Sequence, residues 1–177
     1  LLSEYRRLVQ EQGVRTMLSA ISSGNCNIIA PVAEDLKVLN VMWDCGTEKV
    51  LEAKRYKYVV RTQANATTEM VATVLYLLKT RPNFNSIAVV NQDYAWGQDS
   101  WRDFVGAMGV LAPKSKVDKE LFPKLFAGEF GAEISTLLTS KSQALHSSFW
   151  DGDLEGFLYQ SEARGLKRRV EANRLNG

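Results

Sequence analysis

The sequence predicts an α/β fold with parallel sheets. Short apolar runs of strand length recur along the chain, and amphipathic stretches of helical length separate them. Strands that alternate with helices pair in parallel through βαβ crossovers and carry helices on both faces. With 177 residues the chain is long enough for one large domain or two small lobes, each with its own core.

The elements follow in order. "LLSEYRRLVQEQGV" places Leu2, Tyr5, Leu8 and Val9 at helical spacing. "VRTMLSAI" reads as a buried strand and ends in the turn "SSGN". "CNIIAPVAEDLK" reads as a helix with Pro31 best placed in its first turns, where no backbone donor is needed. "VLNVMW" is a second strand running into "DCGT", and "YKYVVRT" is a third, short strand. "NATTEMVATVLYLLKTR" is the longest helix, capped by Asn65 or Thr67, with Met70, Val71, Val74, Leu75 and Leu78 on its apolar face. After the break "RPNFN" come the strand "SIAVV", the turn "NQDYAWGQ" and the helix "QDSWRDFVGAM". In that helix Trp101 shares a core face with Phe104, Val105 and Met108. "KVDKELF" suits an edge strand, "GAEISTLLTS" a helix, "QALHSSF" a strand and "GDLEGFLYQSEARG" a helix.

Composition narrows the function classes. The chain is 45% hydrophobic and 24% charged, with a formal charge of +2, so no basic face for nucleic acid is expected. The cluster "GLKRR" reads as a solvated helix end. No run approaches the roughly 18 to 20 apolar residues of a membrane span. Catalytic signatures are missing too: there is no G-x-S-x-G elbow, no P-loop and no cluster of metal ligands. The single histidine, His146, reads as a core or strand-end residue, and no cofactor is expected.

Ligands of open α/β sheets bind beyond the carboxyl ends of the strands. That rule selects "SSGN", "DCGT", "DYAWGQ" and "SSFWDGD". Ser22 and Ser23 precede a helix, where hydroxyls and free N–H groups receive a carboxylate, or where one serine simply caps the helix. Thr47 adds a hydroxyl, and Gly46 permits close backbone approach. Trp96 and Trp150 offer walls for an apolar ligand or a cover for an ammonium group.

These turns, with "APVAEDLKV", "YVVRT", "ELFPKLFAGEFGAEIS" and "EARGL" in the same order, resemble the type I periplasmic substrate-binding proteins of branched-chain amino-acid ABC importers over residues 4–167. The resemblance implies two Rossmann-like lobes with parallel sheets, incomplete here: residues 1–81 as the first lobe, 82–85 as hinge and 86–177 as the second lobe. It implies a binding protein, not an enzyme, that captures a small amino acid or related amide between lobes and hands it to ABC permease subunits. By resemblance, Ser23 and Thr47 hold a ligand carboxylate, and Cys45 and Gly46 supply backbone groups, one carbonyl taking the ammonium. Trp96 and Trp150 become the aromatic contacts, with Tyr94 and Asp151 beside them. The implied location is periplasmic, or extracellular and lipid-anchored, with a signal peptide on the precursor. A cytoplasmic amide or amino-acid sensor of the same fold is the alternative, and an acyl-transfer hydrolase using Ser23 or Cys45 a third. The family's acidic ammonium-binding residue lies beyond the matched stretch, and "KRRVEANRLNG" does not read as the strand expected after "EARGL". Cys26 and Cys45 flank neighbouring strand-end turns, which suits either a disulfide or two separate buried thiols.

Overall fold

The computed structural model describes residues 1–19 and 22–175, with side chains through residue 170. The chain forms two compact units, Leu1–Glu69 and Met70–Gly177.

The first unit comprises α1 (Leu2–Gln10), β1 (Thr16–Ser19), α2 (Ser23–Leu36), β2 (Leu39–Met42), α3 (Lys49–Glu52), β3 (Val59–Arg61) and the start of α4 (Ala66–Thr80). Its sheet has the order β1-β2-β3, and both pairings are parallel. Tyr5, Cys26, Ile29, Ala33, Met42 and Val59 form the core between α1, α2 and the sheet. The expectation of a buried first strand needs correction. β1 is an outer strand, Met17 packs inward, and the alternating residue Leu18 on the opposite face is 71% exposed. Ala20 and Ile21 of that expected strand lie outside the described residues.

Pro31 lies well inside α2, not in its first turns. One intrahelical hydrogen bond is lost there, and the buried run Ile29, Ala30, Val32 and Ala33 keeps the helix against the sheet regardless. The helix stops at Lys37, whose φ of 56° is left-handed and whose N–H bonds back to Ala33 and Glu34 carbonyls. α3, a single turn, has no periodic signal in the sequence.

The second unit holds the rest of α4, then β4 (Ser86–Val90), α5 (Ala95–Leu111), β5 (Lys116–Leu121), α6 (Gly131–Thr139), β6 (Ala144–His146), α7 (Asp151–Ala163) and α8 (Leu166–Leu175). Its parallel sheet has the order β5-β4-β6, with β5 at an edge as expected. β4 is central, and its continuous apolar run is explained by burial on both faces. Ile87 and Val89 meet Met70, Val74, Trp101 and Phe104, while Ala88 and Val90 meet Phe130, Ile134, Leu137 and Phe157.

The units divide within α4, upstream of the 82–85 segment read as a hinge. Met70 and Val74 pack with Phe84, and Asn85 N–H donates to Gln143 Oε1 (2.9 Å), so "RPNFN" is tied to the second unit through Phe84 while Pro82, Asn83 and Asn85 stay exposed. Asn65 caps α4, its Oδ1 accepting from Thr68 N–H at 2.9 Å. Leu75, expected on the buried face, is 51% exposed, and Leu77 packs inward instead. On α5, Trp101 is buried against Phe104 with ring centroids 5.7 Å apart, but Val105 points outward. The tail continues as α8 rather than a strand, with Lys167, Arg168 and Arg169 exposed.

Candidate functional site

In the first unit the predicted turns follow β1 and β2 and meet each other. Ser22 is the backbone N-cap of α2 (φ −145°, ψ 132°), but its hydroxyl makes no capping bond and no acidic residue occupies the first turn. The leading N–H groups of α2 therefore keep their partial positive charge. Ser23 is buried, and its Oγ accepts from Thr47 N–H at 3.2 Å, which ties the two turns together. The Thr47 hydroxyl oxygen in turn accepts from Lys49 N–H at 3.3 Å.

A residue the sequence reading passed over shapes this turn. Arg61, at the end of β3, donates through Nη1 to the carbonyls of Thr47 (2.7 Å) and Cys45 (3.2 Å). Its Nη2 lies 3.5 Å from Glu48 Oε2, and Glu48 Oε1 accepts from Thr67 N–H at 3.2 Å. Both side chains are only 9% exposed, so the pair is paid for by these extra bonds. The one signal in the sequence is a lone arginine closing an apolar strand. Gly46 O accepts from Ala66 N–H at 2.8 Å. The Cys45 and Gly46 carbonyls thus each have an internal partner already, leaving one lone pair apiece. Burial, and secondarily the Asp44 carboxylate, push the Glu69 carboxyl above its ordinary range. Cys26 and Cys45 are joined as a disulfide, with Cα atoms 6.3 Å apart. Cys45 therefore carries no free thiolate for an acyl-transfer step.

The second unit places its predicted residues at the ends of β4 and β6. α5 begins at Ala95, earlier than the sequence suggested, so Trp96 and Gly97 lie in a helical turn and Tyr94 is its N-cap. Trp150 Nε1 donates to Tyr94 Oη at 2.6 Å, and Trp96 Nε1 donates to Ser148 O at 3.2 Å. Both indole N–H groups are consumed, so the tryptophans offer apolar faces. Trp96 also packs against the core cluster around Ile87 and Phe104, which makes it partly structural. Trp150 meets Phe126 edge-on at 5.7 Å, and Phe126 is 62% exposed. Asp151 opens α7 with a φ of 53° and is exposed.

The frame beneath these aromatics consists of residues not singled out from sequence. Asn91 Nδ2 donates to Gly97 O (2.9 Å), and its Oδ1 accepts from Ser148 N–H (2.8 Å), which joins the two strand-end turns. Asp153 is buried and accepts from Gln92 Nε2 (2.8 Å), Phe126 N–H (2.7 Å) and Gly128 N–H (3.3 Å). A short side-chain amide after an apolar strand is the only sequence cue for Asn91 and Gln92. Asp153 looks like an ordinary first-turn acid.

His146 ends β6 with its ring 4.4 Å from that of Phe104 and 5.8 Å from that of Trp101. Burial lowers its pKa to about 4. Its Nε2 has no protein partner, so it is a core histidine that is not fully satisfied. In the unfolded chain the ring titrates near 6.5. Between these values the unfolded state binds more protons, so stability falls with decreasing pH from about 6.5 to about 4 and levels off below. The loss amounts to about 3 kcal/mol. Denaturant melts at pH 7 and pH 4.5 should show it in the parent and lose most of it in His146→Phe. Equal pH dependence in both would contradict a neutral buried ring.

Among the described residues no group of acidic, histidine or cysteine side chains could hold a metal ion, and no helix is long and apolar enough to cross a membrane. Solved structures of the same fold superpose on nearly the whole chain. A solute-binding protein of an ABC transporter from Rhodopseudomonas palustris BisB5, in complex with 3,4-dihydroxybenzoic acid, gives a TM-score of 0.82 at 21% identity, covering 93% of this chain and 44% of its own. A leucine-binding protein from Thermotoga maritima MSB8 gives 0.79 at 19%, covering 92% and 45%. The branched-chain amino acid transporter substrate-binding protein of Streptococcus pneumoniae, in complex with isoleucine, gives 0.81 at 11%, covering 93% and 45%. The chain thus spans under half the length of these proteins. No curated protein matches it in sequence. The fold is the type I α/β architecture expected from the sequence, and the family model for periplasmic binding proteins matches residues 1–173; the chain belongs to the periplasmic binding protein family.

Proposed function

We propose that this chain is the recognition portion of an extracytoplasmic solute-binding protein that captures a small carboxylate, an amino acid or a related amide, and delivers it to the permease of an ABC importer. The observation that carries the reading is the Ser23–Thr47 hydrogen bond laid beside the uncapped N-terminus of α2, at the carboxyl ends of two parallel strands. Free helical N–H groups and fixed hydroxyls favour an anion there. Ser22, Ser23 and Thr47 take the carboxylate, and the Cys45–Gly46 backbone offers its remaining lone pairs to a donor on the ligand. The similar proteins named above carry isoleucine or a dihydroxybenzoate, and both ligands have a carboxylate. Trp150, Tyr94 and Trp96 supply apolar recognition from the second unit, with Asp151 at its rim. A disulfide suits an oxidising compartment, which supports a periplasmic or lipid-anchored extracellular setting.

Native mass spectrometry of the purified chain, followed by calorimetry with L-leucine, L-isoleucine and 3,4-dihydroxybenzoate, tests the reading. For whichever solute binds, Trp150→Ala should weaken affinity by roughly 2 to 4 kcal/mol. It should lower the ligand-free melting point much less than Trp101→Ala, a core truncation costing roughly 3 to 5 kcal/mol. Trp150→Ala that melts as early as Trp101→Ala, with unchanged affinity, would show that the turn is packing only.

A further inference from the structure

The loop after β5 carries an aromatic ring that belongs to none of the hydrophobic cores. Phe126 is 62% exposed, whereas the other phenylalanines are buried or half-buried. Its φ of 58° lies in the left-handed region, which a bulky side chain rarely adopts. The loop is nevertheless fixed there. Asp153, itself buried, accepts from Phe126 N–H (2.7 Å) and Gly128 N–H (3.3 Å), and Gln160 Nε2 donates to Gly128 O (2.9 Å). Asp93 N–H donates to Pro123 O at 2.8 Å and ties the start of the loop to the turn after β4. The ring held out in this way meets Trp150 at a centroid distance of 5.7 Å and an interplanar angle of 72°. Trp150 is followed by Asp151, whose φ of 53° is also left-handed. Among the described residues one other non-glycine shares that conformation, Lys37, and it ends α2. Backbone strain that surrounding bonds enforce clusters at ligand contacts.

We propose that Phe126 is a specificity-determining residue of the solute site, forming with Trp150 a two-walled aromatic corner that selects a flat aromatic carboxylate, of the benzoate class, over an aliphatic one of similar size. The proposal rests on the solute-binding reading above and names the class of solute. Two rings set at a steep angle let a third ring lie against the face of one and meet the edge of the other. An aliphatic ring of similar size buries comparable area but lacks that quadrupole attraction. Trp150 Nε1 already donates to Tyr94 Oη, so the corner offers π surface and not an indole donor. It stands where the turns after β4, β5 and β6 converge, at the carboxyl ends of parallel strands, where such sheets bind ligands. Every contact named in building it lies within residues 93–160.

The experiment is calorimetry of the chain with benzoate, cyclohexanecarboxylate and L-leucine, joined to NMR of the benzoate complex. The parent should bind benzoate more tightly than cyclohexanecarboxylate, with nuclear Overhauser effects from benzoate protons to the rings of Phe126 and Trp150. Phe126→Leu keeps apolar bulk and should lower the ratio of those two affinities by roughly two- to tenfold. Comparing the ratio between parent and variant cancels the different hydration of the two solutes. Phe126→Gly removes the ring and accepts a left-handed φ without strain. It should melt no earlier than the parent while losing the same preference. A ring that served only packing would show the reverse, an earlier melt in Phe126→Gly and an unchanged ratio in Phe126→Leu, and that result overturns the proposal. A parent that binds L-leucine but neither carboxylate overturns this proposal and leaves the solute-binding reading standing. One that binds none of the three overturns both.

Discussion

Gly97→Ala should destabilise the second unit by roughly 3 kcal/mol or more, although alanine is the better helix former. A Cβ at position 97 would sit 1.8 Å from Gln92 O and 2.9 Å from Gln92 C. Both are backbone atoms that no rotamer change can move aside. The close approach exists because β4 runs directly into α5 through the tight "NQDYAWG" turn. Asn91 Nδ2 and Ser100 Oγ both donate to Gly97 O and hold it there. Relieving the clash therefore shifts the whole turn, and with it Tyr94, Trp96 and the Asn91–Ser148 link. For a chain of this size the melting point should fall by roughly 6 to 12 °C. Gly106 and Gly109 on the same helix supply the control: a Cβ at either meets nothing within 4 Å. Their alanine variants should gain about 0.5 to 1 kcal/mol each. Thermal melts of the three variants separate steric from helical effects, and a Gly97→Ala protein that melts with the parent would refute the geometry of the turn.

Reducing the Cys26–Cys45 bond should cost about 3 kcal/mol, the loop-closure entropy expected for two cysteines 19 residues apart. Both residues are fully buried, one in α2 and one in the turn that carries Thr47. The bond therefore fixes the start of α2 against that turn, and its loss should raise the solute dissociation constant as well as lower the melting point. Thiol titration of the unfolded chain should find no free thiol before reduction and two after it. Two thiols in the unreduced chain would remove the bridge. A reduced chain with unchanged melting point would show that it contributes nothing to stability.

The order of elements was legible because it depends on local periodicity. β4 announces itself as a continuous apolar run, and α5 carries Trp101, Phe104 and Met108 at helical spacing. That the turns holding Ser23, Thr47, Tyr94, Trp96 and Trp150 follow the carboxyl ends of strands was legible from the alternation of strands and helices. Tertiary structure decided the rest, since neighbours distant in sequence set it. Packing of Met70 and Val74 against Phe84 ties the later part of α4 to the second unit. Core packing on one face of the first sheet left Leu18 and Val60, on the other face, exposed, and core burial of its neighbours carried α2 through Pro31. The site's polar frame depends on pairs such as Arg61 with Thr47 and Asp153 with Phe126, separated by 14 and 27 residues. No periodicity links such residues. Only the sheet, by setting strand ends side by side, gives a lone arginine or a first-turn aspartate its partners.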